Sequence, residues 1–346
     1  MHEYPLVSII TPCYNGEKFV KRYFDSVLRQ TYPNIELFFV NDGSRDKTEE
    51  IALDYKKKFE DKGFKFHYFY QDNAGQAAAI NKVLPLIKGK YLTWPDSDDW
   101  ITPHAVARRV EFLEENPHLG LVQSRSAVVS EKDLTKVIRT LYRKHTENGW
   151  IFVGLLFEND APITSGSFMV NADRLLSMIP NKQIYDSRTG QNWQLMLPLC
   201  YKYECGFLSD YLYYIVIRRD SHSHLERDFD SVIRKTYRHE DTLIHVLNEI
   251  DMPDNERRDY LSKLSIHFIR KRMTIASYYH RRSDMKRYYK ELLDKDAIER
   301  ADYFTYAKTV FPPLDLASRA ANRGMNKLYK IVHPSVFGSS VDPRGE

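Results

Sequence analysis

Three carboxylates fall within four residues at Asp96-Ser97-Asp98-Asp99. At that spacing they repel one another, and such a cluster is easiest to sustain where a hard cation or several hydrogen-bond donors neutralise it. Mg2+ and Mn2+ take one or two protein carboxylates together with phosphate oxygens, so the pattern fits a cation-assisted site for a nucleoside diphosphate. The plainer reading of an Asp-rich turn is that Asp98 or Asp99 caps it. Asp42, in Val40-Asn41-Asp42-Gly43-Ser44, can accept from a base N–H or close an Asx turn before Gly43. Tyr14 offers a ring that can stack on a base, and Pro12 fixes the backbone beside it.

These residues gain force from the elements that must carry them. Leu6–Thr11, Ile35–Val40, Phe64–Tyr70 and Tyr91–Trp94 are short β-prone runs bounded by turn residues, and amphipathic helical patterns lie between them at Glu17–Gln30, Lys47–Phe59 and Gly75–Ile87. Alternation of this kind predicts an α/β fold, with a mostly parallel sheet covered by helices on both faces and ligands beyond the carboxyl ends of the strands. Tyr14, Asp42, Asn73 and the acidic cluster all follow strand ends. Four strand ends therefore make one nucleotide pocket with a cation at its phosphate end. Further helices are expected at Pro103–Glu115 and Asn192–Tyr203, and strands at Leu119–Val129, Ser165–Val170 and Phe207–Arg218. A charged, less regular stretch runs to Gly149. From Ser221 onward the pattern is entirely helical, which divides the chain into domains 1–220 and 221–346.

The runs Leu6-Val7-Ser8-Ile9-Ile10-Thr11-Pro12-Cys13-Tyr14-Asn15, Val40-Asn41-Asp42-Gly43-Ser44, Asp72-Asn73-Ala74-Gly75 with Asn81 downstream, and Asp96-Ser97-Asp98-Asp99-Trp100 resemble, in order and spacing, the motifs of family 2 glycosyltransferases. The resemblance covers residues 5 to about 125. It implies a GT-A fold, Rossmann-like, and inverting transfer of a hexosyl or N-acetylhexosaminyl group from a nucleotide-sugar donor, usually uridine-linked. It implies Thr11, Pro12 and Tyr14 around the base, Asp42 accepting from it, and Asn73, Gly75 and Asn81 lining the donor pocket. It also implies Asp96 near the ribose, Asp98 as principal ligand of Mg2+ or Mn2+, and Asp99 in support.

One motif departs from the family pattern. Similar enzymes often carry Glu-Asp at a helix start in the second half of the domain, with the Asp as base, whereas the counterpart here is Gln191-Asn192, with Asn192 beside the substrate. An amide cannot act as general base at neutral pH. Asp186, six residues earlier in a loop, is one candidate base; another residue, or a differently activated acceptor, are the others. The departure also admits a catalytically silent sugar-nucleotide-binding partner of another transferase. In Ser221-His222-Ser223-His224, His222 and His224 point the same way on an extended segment, so His222 is a further candidate for the cation or the diphosphate.

Composition limits the setting. With 42% hydrophobic and 28% charged residues the chain is globular, and its net charge of +4 belongs to residues 221–346, where 23 basic residues face 19 acids. Three scattered cysteines make neither a disulfide framework nor a metal motif, which suits a reducing compartment. No secretory signal or membrane span is legible, so a cytoplasmic location is expected. Between Lys263 and Lys290 nine basic residues and one acid interleave with Tyr278-Tyr279 and Tyr288-Tyr289, and Ala317–Val332 repeats the mixture. Such faces suit an anionic membrane surface, a solvated helix or, least well, nucleic acid. The resemblance and this basicity together imply a glycan or lipid-linked acceptor at the inner face of the membrane, in bacterial-type surface-polysaccharide assembly.

Overall fold

The computed structural model describes residues 4–143, 149–159, 162, 164–218 and 228–311. The chain divides into two compact units, one up to Arg218 and the other from Arg219.

The first unit opens with β1 (Val7–Cys13), α1 (Val20–Leu28), β2 (Ile35–Asp42), α2 (Thr48–Asp61), β3 (Lys65–Gln71), α3 (Gln76–Val83), β4 (Tyr91–Thr93) and β5 (Trp100–Ile101). All eight residues of β2 are buried, with the apolar run Leu37–Val40 at its centre, as a strand covered on both faces requires. Helix α1 buries Val20, Tyr23, Phe24 and Val27, the i, i+3, i+4, i+7 stripe of an amphipathic helix. Phe24 carries that stripe into the core, 4.9 Å from the Phe39 ring and 5.1 Å from Tyr55.

The remaining elements of this unit are α4 (Ala105–Glu115), β6 (Leu121–Ser130), β7 (Asp133–Leu141), α5 (Phe152–Leu156), β8 (Phe168–Asn171), α6 (Ala172–Met178), α7 (Gln191–Lys202) and β9 (Cys205–Ile217). The sheet runs β3-β2-β1-β4-β8-β6-β9-β5, with β7 pairing β6 as well. Strands β1 to β4 are parallel, but β8 runs antiparallel to β4 and β6, and β5 antiparallel to β9. The sheet is therefore mixed, parallel across β3-β2-β1-β4 and again between β6 and β9, and antiparallel where β8, β7 and β5 join it. That corrects the mostly parallel expectation, because period-2 burial identifies a strand without giving its direction. The irregular stretch before Gly149 contains β7, a strand exposed along most of its length.

The second unit is helical over its described residues: α8 (Phe229–Glu249), α9 (Asp254–Tyr278), α10 (Arg282–Asp294) and α11 (Arg300–Val310). Asp228 caps α8 by accepting from the Ser231 amide at 2.9 Å, and Glu299 with Asp302 forms a capping box on α11. Phe229, Ile233, Ile269, Met273, Met285, Tyr288 and Leu292 form its core. Five of the nine basic residues of Lys263–Lys290 meet acids inside this unit. Lys263 pairs with Asp259, Arg270 with Glu299 and Asp302, Arg272 with Glu240, and Arg281 and Arg287 with Asp284. Among the described residues no helix is long and apolar enough to cross a membrane. Ala317–Val332 and His222 lie outside the described residues.

Candidate functional site

The carboxyl ends of β1, β2, β3 and β4 share one edge of the sheet, because parallel pairing places Cys13 beside Asn41 and Asp42 beside Gln71. The chain leaves that edge in loops tied to one another. Asn15 takes a positive φ of 51°, its amide donates to Ser44 Oγ at 2.9 Å, and its side-chain oxygen accepts from the Arg45 amide at 2.9 Å. Gly43, at φ +74°, admits no side chain, since a Cβ there would lie 2.6 Å from the Asn73 nitrogen.

Several expected donor contacts turn out to hold these loops in place. Thr11 is fully buried; its hydroxyl meets the Tyr23 hydroxyl and reaches the Pro95 carbonyl at 3.3 Å, which fastens β1 to the acidic loop. Asp42 Oδ1 accepts from Gln71 Nε2 at 2.7 Å and the Ala74 amide at 2.9 Å. Its Oδ2 accepts from the Gly75 amide at 2.9 Å and Asn73 Nδ2 at 3.3 Å. The carboxylate thus organises the turn after β3 through four protein donors. Asn81 is bidentate to the main chain of Ile184, at 2.7 and 2.8 Å, and so clamps the loop before α7. Pro12 and Tyr14 are half-buried and Asn73 is exposed at the same edge. Gly75, at φ +98°, lies under the Arg188 side chain, and Arg188 donates to the Asn73 side chain at 3.1 Å and to its carbonyl at 3.2 Å.

The three acids after β4 have three different environments. Asp99 is 4% exposed and accepts from the Tyr213 hydroxyl at 2.5 Å and the Val216 amide at 2.9 Å. Burial, then the charges of Asp98 and Asp96, hold its carboxyl well above the usual range. Both its oxygens accept from protein donors. Asp96 accepts from Ser165 Oγ at 2.6 Å, and burial followed by the neighbouring Asp98 raises its carboxyl too. Asp98 is the accessible member, with its side chain 27% exposed. Its Oδ2 meets an Arg218 nitrogen at 2.5 Å, and its main-chain carbonyl accepts from Arg22 at 2.5 Å.

Among the described residues no group of three or more His, Cys, Asp or Glu side chains gathers as a ready-made metal cage. One accessible carboxylate beside a second, half-buried one is nevertheless the donor set that a hard cation uses when phosphate oxygens complete its shell. Asp98, with Asp96 behind it, fits that group.

The start of α7 carries no acid. Asn192 Oδ1 accepts from Trp94 Nε1 at 2.8 Å, and the Gln191 amide pairs with Gln76. Asp186 is exposed on the loop that Asn81 clamps, while Gln194 holds the adjacent Tyr185 carbonyl at 3.0 Å. Nothing in the sequence marks Arg22, Tyr213, Ser165 or Arg188 as part of the site. Arg218 left one signal, a cation closing the last strand of the sheet; the others reach the site from elements whose packing carries no local mark.

An acidic loop at the carboxyl edge of parallel strands is where an α/β domain binds its ligand. Residues 8–170 match the family described as Glycosyl transferase family 2. An uncharacterized glycosyltransferase of Rickettsia typhi is 44% identical over 111 residues, 32% of this chain and 33% of that relative. The chain thus spans about a third of the length of that curated relative. Among solved structures, S. aureus TarS 1-349 in complex with UDP-GlcNAc is similar with a TM-score of 0.60 at 16% identity, over 90% of this chain and 83% of that one. The mannosyltransferase PcManGT from Pyrobaculum calidifontis, in complex with GDP-Man and Mn2+, gives 0.57 at 14% identity, over 97% and 85%. At such identities the likeness is one of fold. The first unit has a GT-A fold, residues 8–170 within it match glycosyl transferase family 2, and a helical unit follows it.

Proposed function

We propose that the protein is an inverting glycosyltransferase that moves a sugar from a uridine-linked donor to a hydroxyl of a glycan or lipid-linked acceptor, in surface-polysaccharide assembly. The observation that carries this reading is Asp98, the accessible acid of a three-acid loop within a family 2 domain, offset by a single arginine. TarS in complex with UDP-GlcNAc and PcManGT in complex with GDP-Man and Mn2+ support a nucleotide-sugar donor and a divalent cation.

In the reaction the acceptor oxygen forms a bond to the anomeric carbon as the bond to the diphosphate oxygen breaks. The bonding electron pair leaves with the diphosphate, and the acceptor proton passes to a base. A divalent cation at Asp98 would neutralise the charge that develops on the leaving oxygen. Asp96 lies toward the ribose, Tyr14 and Pro12 flank the base, and Asp42 shapes the pocket through the turn at Asn73–Gly75. Asp186 is the candidate base, on a loop that Asn81 and Gln194 position.

The silent-partner reading is favoured by one observation: the amides at the head of α7 are spent on Trp94 and Gln76. A screen of nucleotide sugars with Mn2+, read first by thermal shift and then by donor hydrolysis, separates the two. Binding with turnover supports the transferase. Binding without turnover, even with acceptor extracts, supports the silent partner, and no stabilisation by any nucleotide sugar defeats both.

A further inference from the structure

Arg218 closes β9 and reaches Asp98 Oδ2 at 2.5 Å, with its side chain 10% exposed. Its guanidinium lies 4.1 Å from the centroid of the Phe19 ring, a flat apolar support on which a planar cation can turn without losing its stacking. Arg22 grips the same residue from the main-chain side, through the Asp98 carbonyl. The Nε–H groups of both arginines are buried with no hydrogen-bond partner among the described residues. Two cations therefore converge on one aspartate, with donor capacity unspent.

Other buried arginines, Arg272 among them, also leave an Nε–H unpaired, so what sets Arg218 apart is its place on the accessible acid of the loop. A free donor beside the phosphate end of the pocket suits a ligand rich in oxygen. A guanidinium and a divalent cation also compete for the same Asp98 oxygen. The arriving cation and diphosphate carry opposite charge, so the exchange leaves the site with little net change while it frees one fork-shaped donor beside the phosphates.

We propose that Arg218 is a ligand of the donor diphosphate, held in reserve on Asp98 until cation and nucleotide arrive together. The proposal rests on the nucleotide-sugar reading above and deepens it. Arg218 guards Asp98 against binding a cation alone, then turns on Phe19 to donate to the diphosphate, where it also steadies the charge on the leaving group. Ordered binding follows, with the cation entering as the nucleotide complex.

The test uses the full chain with Mn2+ and UDP as probes. Free Mn2+ is counted by electron paramagnetic resonance without nucleotide, and UDP binding is measured by titration calorimetry at saturating Mn2+. Arg218→Gln should bind Mn2+ alone about fivefold or more tighter than wild type, because Asp98 is released, and should bind UDP about tenfold or more weaker. Arg218→Lys keeps the charge without the fork: it should leave Mn2+ binding near wild type and restore UDP affinity only in part. Unchanged values in Arg218→Gln, or weaker Mn2+ binding without nucleotide, would overturn the proposal, since a merely structural arginine predicts the latter. If Arg218→Gln does not fold, UDP affinity in Arg218→Lys equal to wild type overturns it. Wild type that binds neither UDP nor any other nucleoside diphosphate defeats the nucleotide reading itself, a result distinct from failure in the variants alone.

Discussion

Arg272 of α9 is 3% exposed, meets Glu240 of α8 at 2.6 Å and lies 4.2 Å from the centroid of the Tyr237 ring. Arg270, nearby, is held by Glu299 and Asp302. In the first unit, by contrast, Asp96, Asp98 and Asp99 are crowded into one turn, and a single guanidinium meets one of them. Both regions take charge out of water, at a cost recovered only by good pairing. The helical unit pairs its charges and the acidic loop leaves like charges together, which is the arrangement that perturbs carboxyl groups and recruits ligands. A stretch that is basic in sequence, as Lys263–Lys290 is, can draw acids from neighbouring helices, whereas three acids within four residues stay close together however the chain folds.

If the unbalanced cluster is the functional one, its accessible member should matter for turnover and little for folding. Asp98→Asn should lower sugar transfer by about 10²–10³-fold or more, as removal of a main electrostatic stabiliser of a leaving group does. Its thermal midpoint should stay near wild type, because the repulsion relieved at Asp96 and Asp99 offsets the partner lost by Arg218. Full turnover in this variant would remove Asp98 from the reaction.

The paired charges should behave in the opposite way. Arg272→Ala leaves Glu240 without its partner and should destabilise the helical unit by about 3–5 kcal/mol in denaturant unfolding, with no direct effect at the nucleotide site. A loss under about 1 kcal/mol would mean that Glu240 finds water, and the contrast between the two regions would weaken.

The parts of the molecule legible from sequence are those with a local signature. Strands β1 to β4 announce themselves by apolar runs that end in turn residues, and α1 by its four-residue stripe. Asp98 stands out because like charges in sequence are like charges in space. What could not be read depends on distant pairing. Strand β7 has no buried face of its own and owes its form to β6, while the direction of β8 and β5 is set by their neighbours. The Arg218–Asp98 contact joins residues 120 apart in sequence, and Asp42, correctly placed at a strand end, spends its oxygens on residues 29 to 33 positions later. Sequence gave the position of these side chains along the chain, and packing decided which of them remain available.

A glycine tests how the loop is held. A Cβ on Gly166 would fall 2.2 to 2.6 Å from the Tyr213 ring, whose hydroxyl holds Asp99 and meets the Asp96 amide at 3.3 Å. Gly166→Ala should cost about 1–3 kcal/mol of stability through overpacking. It should also weaken Mn2+–UDP binding, by shifting Tyr213 and with it the turn that carries Asp98. Lost stability with unchanged Mn2+–UDP affinity would show that the turn keeps its shape without Tyr213.

The smallest effect separates repulsion from burial within the acidic loop. Folded Asp96 holds its proton more tightly than an unfolded carboxyl of pKa about 3.9, since burial and then Asp98 penalise its charge. Between those two values the folded chain carries the extra proton, so this group's contribution to stability is fullest below the unfolded value. It is lost as pH rises through the raised folded value, at no more than about 1.4 kcal/mol per pH unit. Asn at this position keeps an oxygen for Ser165 and has no proton to lose. Asp96→Asn should therefore flatten the fall in the unfolding midpoint above about pH 4, and Mn2+ with UDP should flatten it in wild type as well, because the bound cation offsets the same charge. Parallel pH profiles for Asp96→Asn and wild type would mean that Asp96 titrates as an ordinary surface acid. The crowding that distinguishes this loop from the paired arginines of α9 would then be confined to Asp98 and Asp99.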